Sequence, residues 1–282
     1  MNLARLILCG ALAAFSLAAQ AQQGVDLTDQ SHNPDFPSWT LYGSAQAQSF
    51  TPGNGFTYSV MNLTQAGTGG QAGAGWAPQS LALDFNAAFN FRFYFNIQND
   101  ASQLRGDGLT LVLADSTGVG NGGSDLGYGG LSSASVAFAV DTFHFGGEPV
   151  SPSVQILTGG SNTPLAFTET GLGDSIRNAN YAFMGELAYA PSGNGDNAGL
   201  LTGTISNVLL GSFSVQAQVD FAALGLVGQP VYYGFTAGNG LATDGQTIQW
   251  GAPAAVPEPG SWAMILAGLA CLGLIARRRR MS

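Results

Sequence analysis

Few side chains in this sequence could carry chemistry, and their spacing rules out most reactions. Glutamate occurs only at Glu148, Glu169, Glu186 and Glu258, and none is followed two residues later by aspartate. The paired carboxylates of a glycoside hydrolase, set on one strand as Glu-x-Asp-x-x-Glu, are therefore not encoded in that form. The two histidines, His32 and His144, stand in no His-Glu-x-x-His segment, and neither a Gly-x-Ser-x-Gly elbow nor a phosphate loop is present. The chain reads as a non-enzyme. What remains are acceptors and rings rather than reactive groups. Tyr128 sits among Gly127, Gly129 and Gly130, small neighbours that would leave its ring open to a ligand. Asp107 lies between Gly106 and Gly108, where an aspartate can also simply cap a turn. His144 is expected to be a lone exposed histidine.

Charge and cysteine narrow the classes further. The chain carries a formal net charge of −9 and no lysine. Between residues 24 and 255 only Arg92, Arg105 and Arg177 oppose every acidic residue except Glu258. Such a surface repels phosphate backbones, so nucleic acid is excluded as a partner. Cys9 and Cys271 lie in the terminal segments, which leaves the body without disulfides, thiolate chemistry or cysteine-bound zinc.

The elements that must position these groups alternate with the period of sheet. Phe89, Phe91, Phe93, Phe95 and Ile97 fall on one face of a strand, and Asn90, Arg92, Tyr94 and Asn96 on the other. Leu109, Leu111 and Leu113 repeat the pattern, as do Val136, Phe138 and Val140, and Phe213, Val215, Ala217 and Val219. Turn-forming stretches at 99–108, 116–130, 159–164 and 192–199 separate them. Many strands, glycine-rich turns and no sustained helical period predict a large antiparallel sandwich or jelly roll. At strand positions, Trp76 and Trp250 are expected in the core.

The two ends read as addresses. Arg5, the apolar stretch 6–19 and Ala19-Gln20-Ala21 form a signal peptide over residues 1–21. After a short linker at 251–259, the uncharged run 260–276 covers about 25 Å as a helix, enough to cross most of a bilayer core of ~30 Å. Arg277, Arg278, Arg279 and Arg280 then place the tail 277–282 in the cytoplasm. Pro257-Glu258-Pro259, an apolar helix containing Gly268 and Gly273, and the arginine cluster resemble the PEP-CTERM sorting signal. That resemblance implies an exported precursor anchored in the inner membrane. An exosortase-type protease would process it, and the cell surface or extracellular matrix would be its destination.

Read in order, segments 39–45, 71–76, 89–97, 106–113, 126–130, 136–143 and 234–238, with Trp250, resemble an L-type (legume-type) lectin domain over residues 24–250. The resemblance implies a concanavalin-like jelly-roll sandwich of antiparallel strands that binds a glycan or polysaccharide. In that family an Ala-Asp-Gly aspartate follows a cis peptide and accepts sugar hydroxyls; Asp107 matches it, with Gly106 in place of the alanine. Backbone amides around Gly123 and Gly129 would donate, and Tyr128 would stack. The family's two metals are held by a Glu-x-Asp strand, a carbonyl, an Asn, an Asp and a His. Asp141 matches the aspartate, Phe143 offers the carbonyl and Glu148 stands near the last carboxylate, whereas Ala139, Phe145 and Ser153 occupy the Glu, Asn and His places. The resemblance thus implies no two-metal site and room for one weak calcium. The alternative is a structural or adhesive matrix protein that keeps the sandwich without binding sugar.

Overall fold

The alternation along Phe89–Gln98 dictates the centre of the fold. Phe89, Phe91, Phe93, Phe95 and Ile97 are all buried, while Arg92 and Gln98 reach solvent on the other face. The computed structural model describes residues 23–28, 35–51, 58–99 and 104–249. The expected signal peptide, His32, Trp250, the Pro257-Glu258-Pro259 motif, the membrane span at 260–276 and the terminal arginines lie outside these residues. Among the described residues no helix is long and apolar enough to cross a membrane.

In chain order the strands are β1 (Gln23–Asp26), β2 (Thr40–Gly43), β3 (Gln46–Phe50), β4 (Tyr58–Asn62), β5 (Ala72–Trp76), β6 (Phe89–Gln98), β7 (Gly108–Ala114) and β8 (Ser135–Asp141). They continue as β9 (Ser153–Thr158), β10 (Ala166–Glu169), β11 (Phe183–Pro191), β12 (Ala198–Asn207), β13 (Gly211–Asp220), β14 (Tyr232–Gly238) and β15 (Gly245–Gln249). One sheet runs β13-β12-β11-β6-β15-β4-β3, and the other runs β10-β9-β8-β7-β14-β5-β2. This is the expected all-β sandwich, with one departure from strict antiparallel pairing. β1 lies parallel to β6, sharing with β15 the same edge of that long strand.

Between the sheets lies a core rich in aromatic rings. Phe85 and Phe221 stack at 4.1 Å between centroids, and Tyr189 meets Phe221 edge-on at 5.0 Å and Phe89 at 4.8 Å. Burying each such side chain stabilises the fold by roughly 1.5–3 kcal/mol. Close approach of the sheets is allowed locally by Gly203 in β12: a β-carbon there would stand 2.2 Å from the Phe138 ring of β8.

β7 and β8 are buried on both faces, which the alternation of Leu109, Leu111 and Leu113 does not disclose. The loop between them folds back over the outer face of the second sheet. Leu126 and Tyr128 pack there against Ala74, Trp76, Val112, Ala114, Ala137, Ala139 and Leu157. Trp76 is in the core as expected, its Nε1 donating to the Gly118 carbonyl at 2.6 Å. The same loop carries Gly123 back towards the end of the sandwich where Asp107 sits.

Candidate functional site

Asp107 is placed by the ends of three neighbouring strands. β7 begins at Gly108, which pairs with Asp141 at the end of β8 and with Gly238 at the end of β14. The Gly106–Asp107 peptide is cis, as the resemblance implies. Four hydrogen bonds grip this unit. Asp107 N donates to Gly238 O at 3.2 Å, and Asp244 N donates to Gly106 O at 2.8 Å. Thr142 donates to Asp107 O through both its amide, at 2.7 Å, and its hydroxyl, at 3.0 Å. Glycine is required at 106 by space, because a β-carbon there would lie 2.3 Å from Cβ of Phe143. That contact explains why this chain departs from alanine at the position.

The Asp107 side chain is 4% exposed, and its Oδ2 is buried with no hydrogen-bond partner among the described residues. Two glycines face that oxygen. A β-carbon added at Gly240 would stand 3.5 Å from it, and one at Gly123 would stand 4.0 Å away. Burial pushes the carboxyl up to about 6, the nearby Gly240 amide pulls it down, and the charges of Glu148 and Asp244 push it up. The structure thus brings together Asp107 and Gly123, and adds Gly240.

Tyr128 and Gly129 are corrections to the expected site. Tyr128 is fully buried in the layer that covers the second sheet. Its hydroxyl contacts Ser135 Oγ at 2.9 Å and accepts from the Gly160 amide at 3.1 Å. Its glycine neighbours do not leave the ring open; they let the loop fold tightly over it. Gly129 is buried against Asp125, and its amide donates to the Asp125 carbonyl at 2.8 Å, so it does not serve a ligand. His144 is exposed as expected, its Nδ1 lying 3.1 Å from Pro149 O across the following loop.

The residues aligned with the metal site do not fit a cation. Asp141 Oδ1 accepts from the Phe143 amide and from Ser151 Oγ, both at 3.0 Å, and Oδ2 accepts from Gln155 Nε2 at 2.9 Å. Glu148 turns back to accept from the Phe145 amide at 2.9 Å. Ala139 lies opposite Gln155, and Ser153 opposite Asp141. Beside Asp141 thus stands a neutral amide that presents N–H groups, which do not suit a hard cation seeking six to eight oxygens. No group of three or more His, Cys, Asp or Glu among the described residues could hold a metal. Burial pushes Asp141 up to about 7, against the pull of its donors.

A further constellation was not legible in the sequence. Arg177, just after the 3-10 turn Gly173–Ile176, is buried beside Asp244, with Nε to Asp244 Oδ2 at 2.6 Å. Its Nη2 donates to Thr142 O at 2.6 Å, and Nη1 lies 3.5 Å from Asp174, which also pairs with Arg105. Burial pushes Asp244 up to about 6, with the Arg177 charge pulling it down. Asp244 Oδ1 is buried without a partner among the described residues. The one available signal was that Arg177 is among only three cations of the body.

Comparison with known proteins places both parts of the chain. Residues 255–280 match the PEP-CTERM protein-sorting motif, which marks an exported protein with a C-terminal sorting signal. The fold is that of the legume lectins. The chain superposes on lectin I-B4 from Griffonia simplicifolia, in its metal-free form, with a TM-score of 0.60 at 18% identity, covering 77% of this chain and 92% of that one. A lectin from Bauhinia forficata in complex with GalNAc gives 0.57 at 18% identity, over 75% and 96%. Arcelin-5, a lectin-like defense protein from Phaseolus vulgaris, gives 0.56 at 18% identity, over 77% and 91%. No curated protein matches the sequence.

Proposed function

We propose that this is a non-catalytic carbohydrate-binding protein, processed by an exosortase-type protease and delivered to the cell surface or extracellular matrix. The observation that carries the reading is Asp107 Oδ2, buried with only the Gly240 amide near it and no hydrogen-bond partner among the described residues, on a backbone gripped by four hydrogen bonds. An unsatisfied buried acceptor costs about 1–3 kcal/mol, and more when charged, so its retention suits a group kept for a ligand's donors. A carboxylate accepts strong hydrogen bonds from sugar hydroxyls, and at Gly123 and Gly240 only backbone, with no side chain, lies over that oxygen. Glu148 and Asp244, whose charges act on Asp107, favour neutral sugars over anionic ones. Weak single-site binding would suffice for many copies in a matrix, because linked sites multiply affinity. A structural matrix role remains the second reading, favoured by the loss of Tyr128 and Gly129 as ligand contacts.

The test is a glycan array with the purified protein, repeated on purified exopolysaccharide; binding to neutral glycans supports the reading, and no binding to any favours the structural role. pH gives a second handle with opposite signs for binding and stability. Asp107 must be ionised to accept two hydroxyls, so binding weakens as pH falls through about 6. Asp107, Asp141 and Asp244 all have folded-state values raised above the ordinary carboxylate range. Their contribution to stability is fully present below the unfolded value near ~4 and is lost as pH rises through roughly 6 to 7. Thermal unfolding should therefore occur at higher temperature at pH 5 than at pH 8, while glycan affinity moves the other way. A protein that is both less stable and tighter-binding at pH 5 contradicts the assignment.

A further inference from the structure

One buried guanidinium stands at the end of the sandwich where Asp107, Asp141 and Asp244 are buried, and its two closest partners are the residues that grip the Asp107 loop. Arg177 donates to Asp244 and to the Thr142 carbonyl. Asp244 in turn holds the Gly106 carbonyl, and Thr142 holds the Asp107 carbonyl twice. We infer that Arg177, with Gln155, takes the structural place of bound cations, so that the Asp107 site assembles without calcium. The inference deepens the carbohydrate reading, and its binding arm rests on that reading; its metal arm does not.

The chemistry of each partner supports this. A guanidinium is permanently charged, and its planar fork reaches several acceptors at fixed angles, which lets one side chain join three segments far apart in sequence. Here it joins the turn before residue 177, Thr142 just after β8 and Asp244 just before β15. Gln155 plays the matching part for Asp141. Its Nε2 donates to Asp141 Oδ2 and to Ser153 Oγ, each at 2.9 Å, and so fills with a donor an acceptor that a cation would need as a ligand. Asp244 Oδ1 does not reopen the question. A second cation there would share a carboxylate with the guanidinium 2.6 Å from Oδ2, and their mutual repulsion is weakly screened where Asp244 has no exposure. Arg177 is in this sense a positioning residue: it acts on the ligand only through Asp107.

Two measurements on the purified protein test the inference. First, thermal unfolding is followed in millimolar calcium and again in chelator. A ligand that binds the folded state raises its melting temperature, so the inference expects agreement within about 1 °C, and a calcium-dependent rise of several degrees overturns it. Second, affinity for a neutral glycan identified on the array is compared for the wild type, Arg177→Met and the pair Arg177→Met with Asp244→Asn. The single change leaves Asp244 buried without its partner and lowers the melting temperature; the double change removes that charge and restores much of it. Both variants should bind at least about tenfold more weakly, unrestored by calcium, because the grip on Thr142 is gone in each. A double variant that folds and binds like the wild type overturns the positioning role. Should the wild type bind no glycan, the carbohydrate reading fails, while the calcium comparison still decides whether protein donors replace the metal.

Discussion

Asp107→Ala abolishes glycan binding, with a loss of at least about a hundredfold, and leaves the melting temperature unchanged or raised. The size follows from the bonds at stake. Hydrogen bonds to a charged group contribute about 1.5–3 kcal/mol each, and two hydroxyls on one carboxylate exceed the ~2.7 kcal/mol that a hundredfold represents. The sign of the stability change follows from the environment of the side chain. Oδ2 has no partner to lose among the described residues, and burial already disfavours the charged form. Isothermal titration with a glycan found on the array, beside thermal unfolding of both proteins, reads the two effects. Undiminished affinity in the alanine variant would move the site elsewhere. A large loss of stability would make Asp107 a structural residue instead.

Phe221→Ala should show the reverse pattern, a large loss of stability with glycan affinity retained. Phe221 is fully buried, stacked on Phe85 at 4.1 Å and edge-on to Tyr189 at 5.0 Å. Truncating such a ring removes about 3–5 kcal/mol, which for a domain of this size lowers the melting temperature by roughly 10 °C. The cluster includes Phe89 at one end of β6, whereas Gln98 at the other end pairs with Gly245, next to Asp244. Ten residues of strand separate the two ends by about 30 Å, so binding should survive wherever the variant remains folded. Phe145→Ala is the internal control. That ring is 68% exposed, and its loss should hardly move the melting temperature.

The contrast between these residues also shows what the sequence could and could not disclose. Alternation at Phe89–Gln98 was enough to place the core face of this ten-residue inner strand, because one strand reports its own periodicity. The double burial of β7 was partly visible, since Leu109, Leu111, Val112, Leu113 and Ala114 leave little polar surface for solvent. Had that run been read as a strand covered on both sides, Tyr128 would have been assigned to the cover instead of the binding surface. Arg177, Gln155, Asp244 and Gly240 carried no local pattern. They acquire their roles only when residues such as Arg177 and Asp244, 67 apart in sequence, are brought together by the fold. Asp107 was legible through the order of motifs around it. That its Oδ2 would be buried beside two glycines, without a hydrogen-bond partner among the described residues, was not.

Gly240 gives the most direct test of the central claim that sugar hydroxyls reach Asp107 Oδ2. A methyl group at this position would stand 3.5 Å from that oxygen and 3.5 Å from Cα of Gly123, ordinary contact distances that the fold can accept. It changes neither the charge nor the hydrogen bonds that position Asp107. The measurement is glycan affinity of the wild type and Gly240→Ala side by side, with melting temperatures to confirm equal folding. The account predicts equal stability and at least about a tenfold loss of affinity, because the approach to the carboxylate is blocked. Equal affinity in two equally stable proteins would contradict it, and would mean that no ligand hydroxyl approaches Asp107 between these glycines.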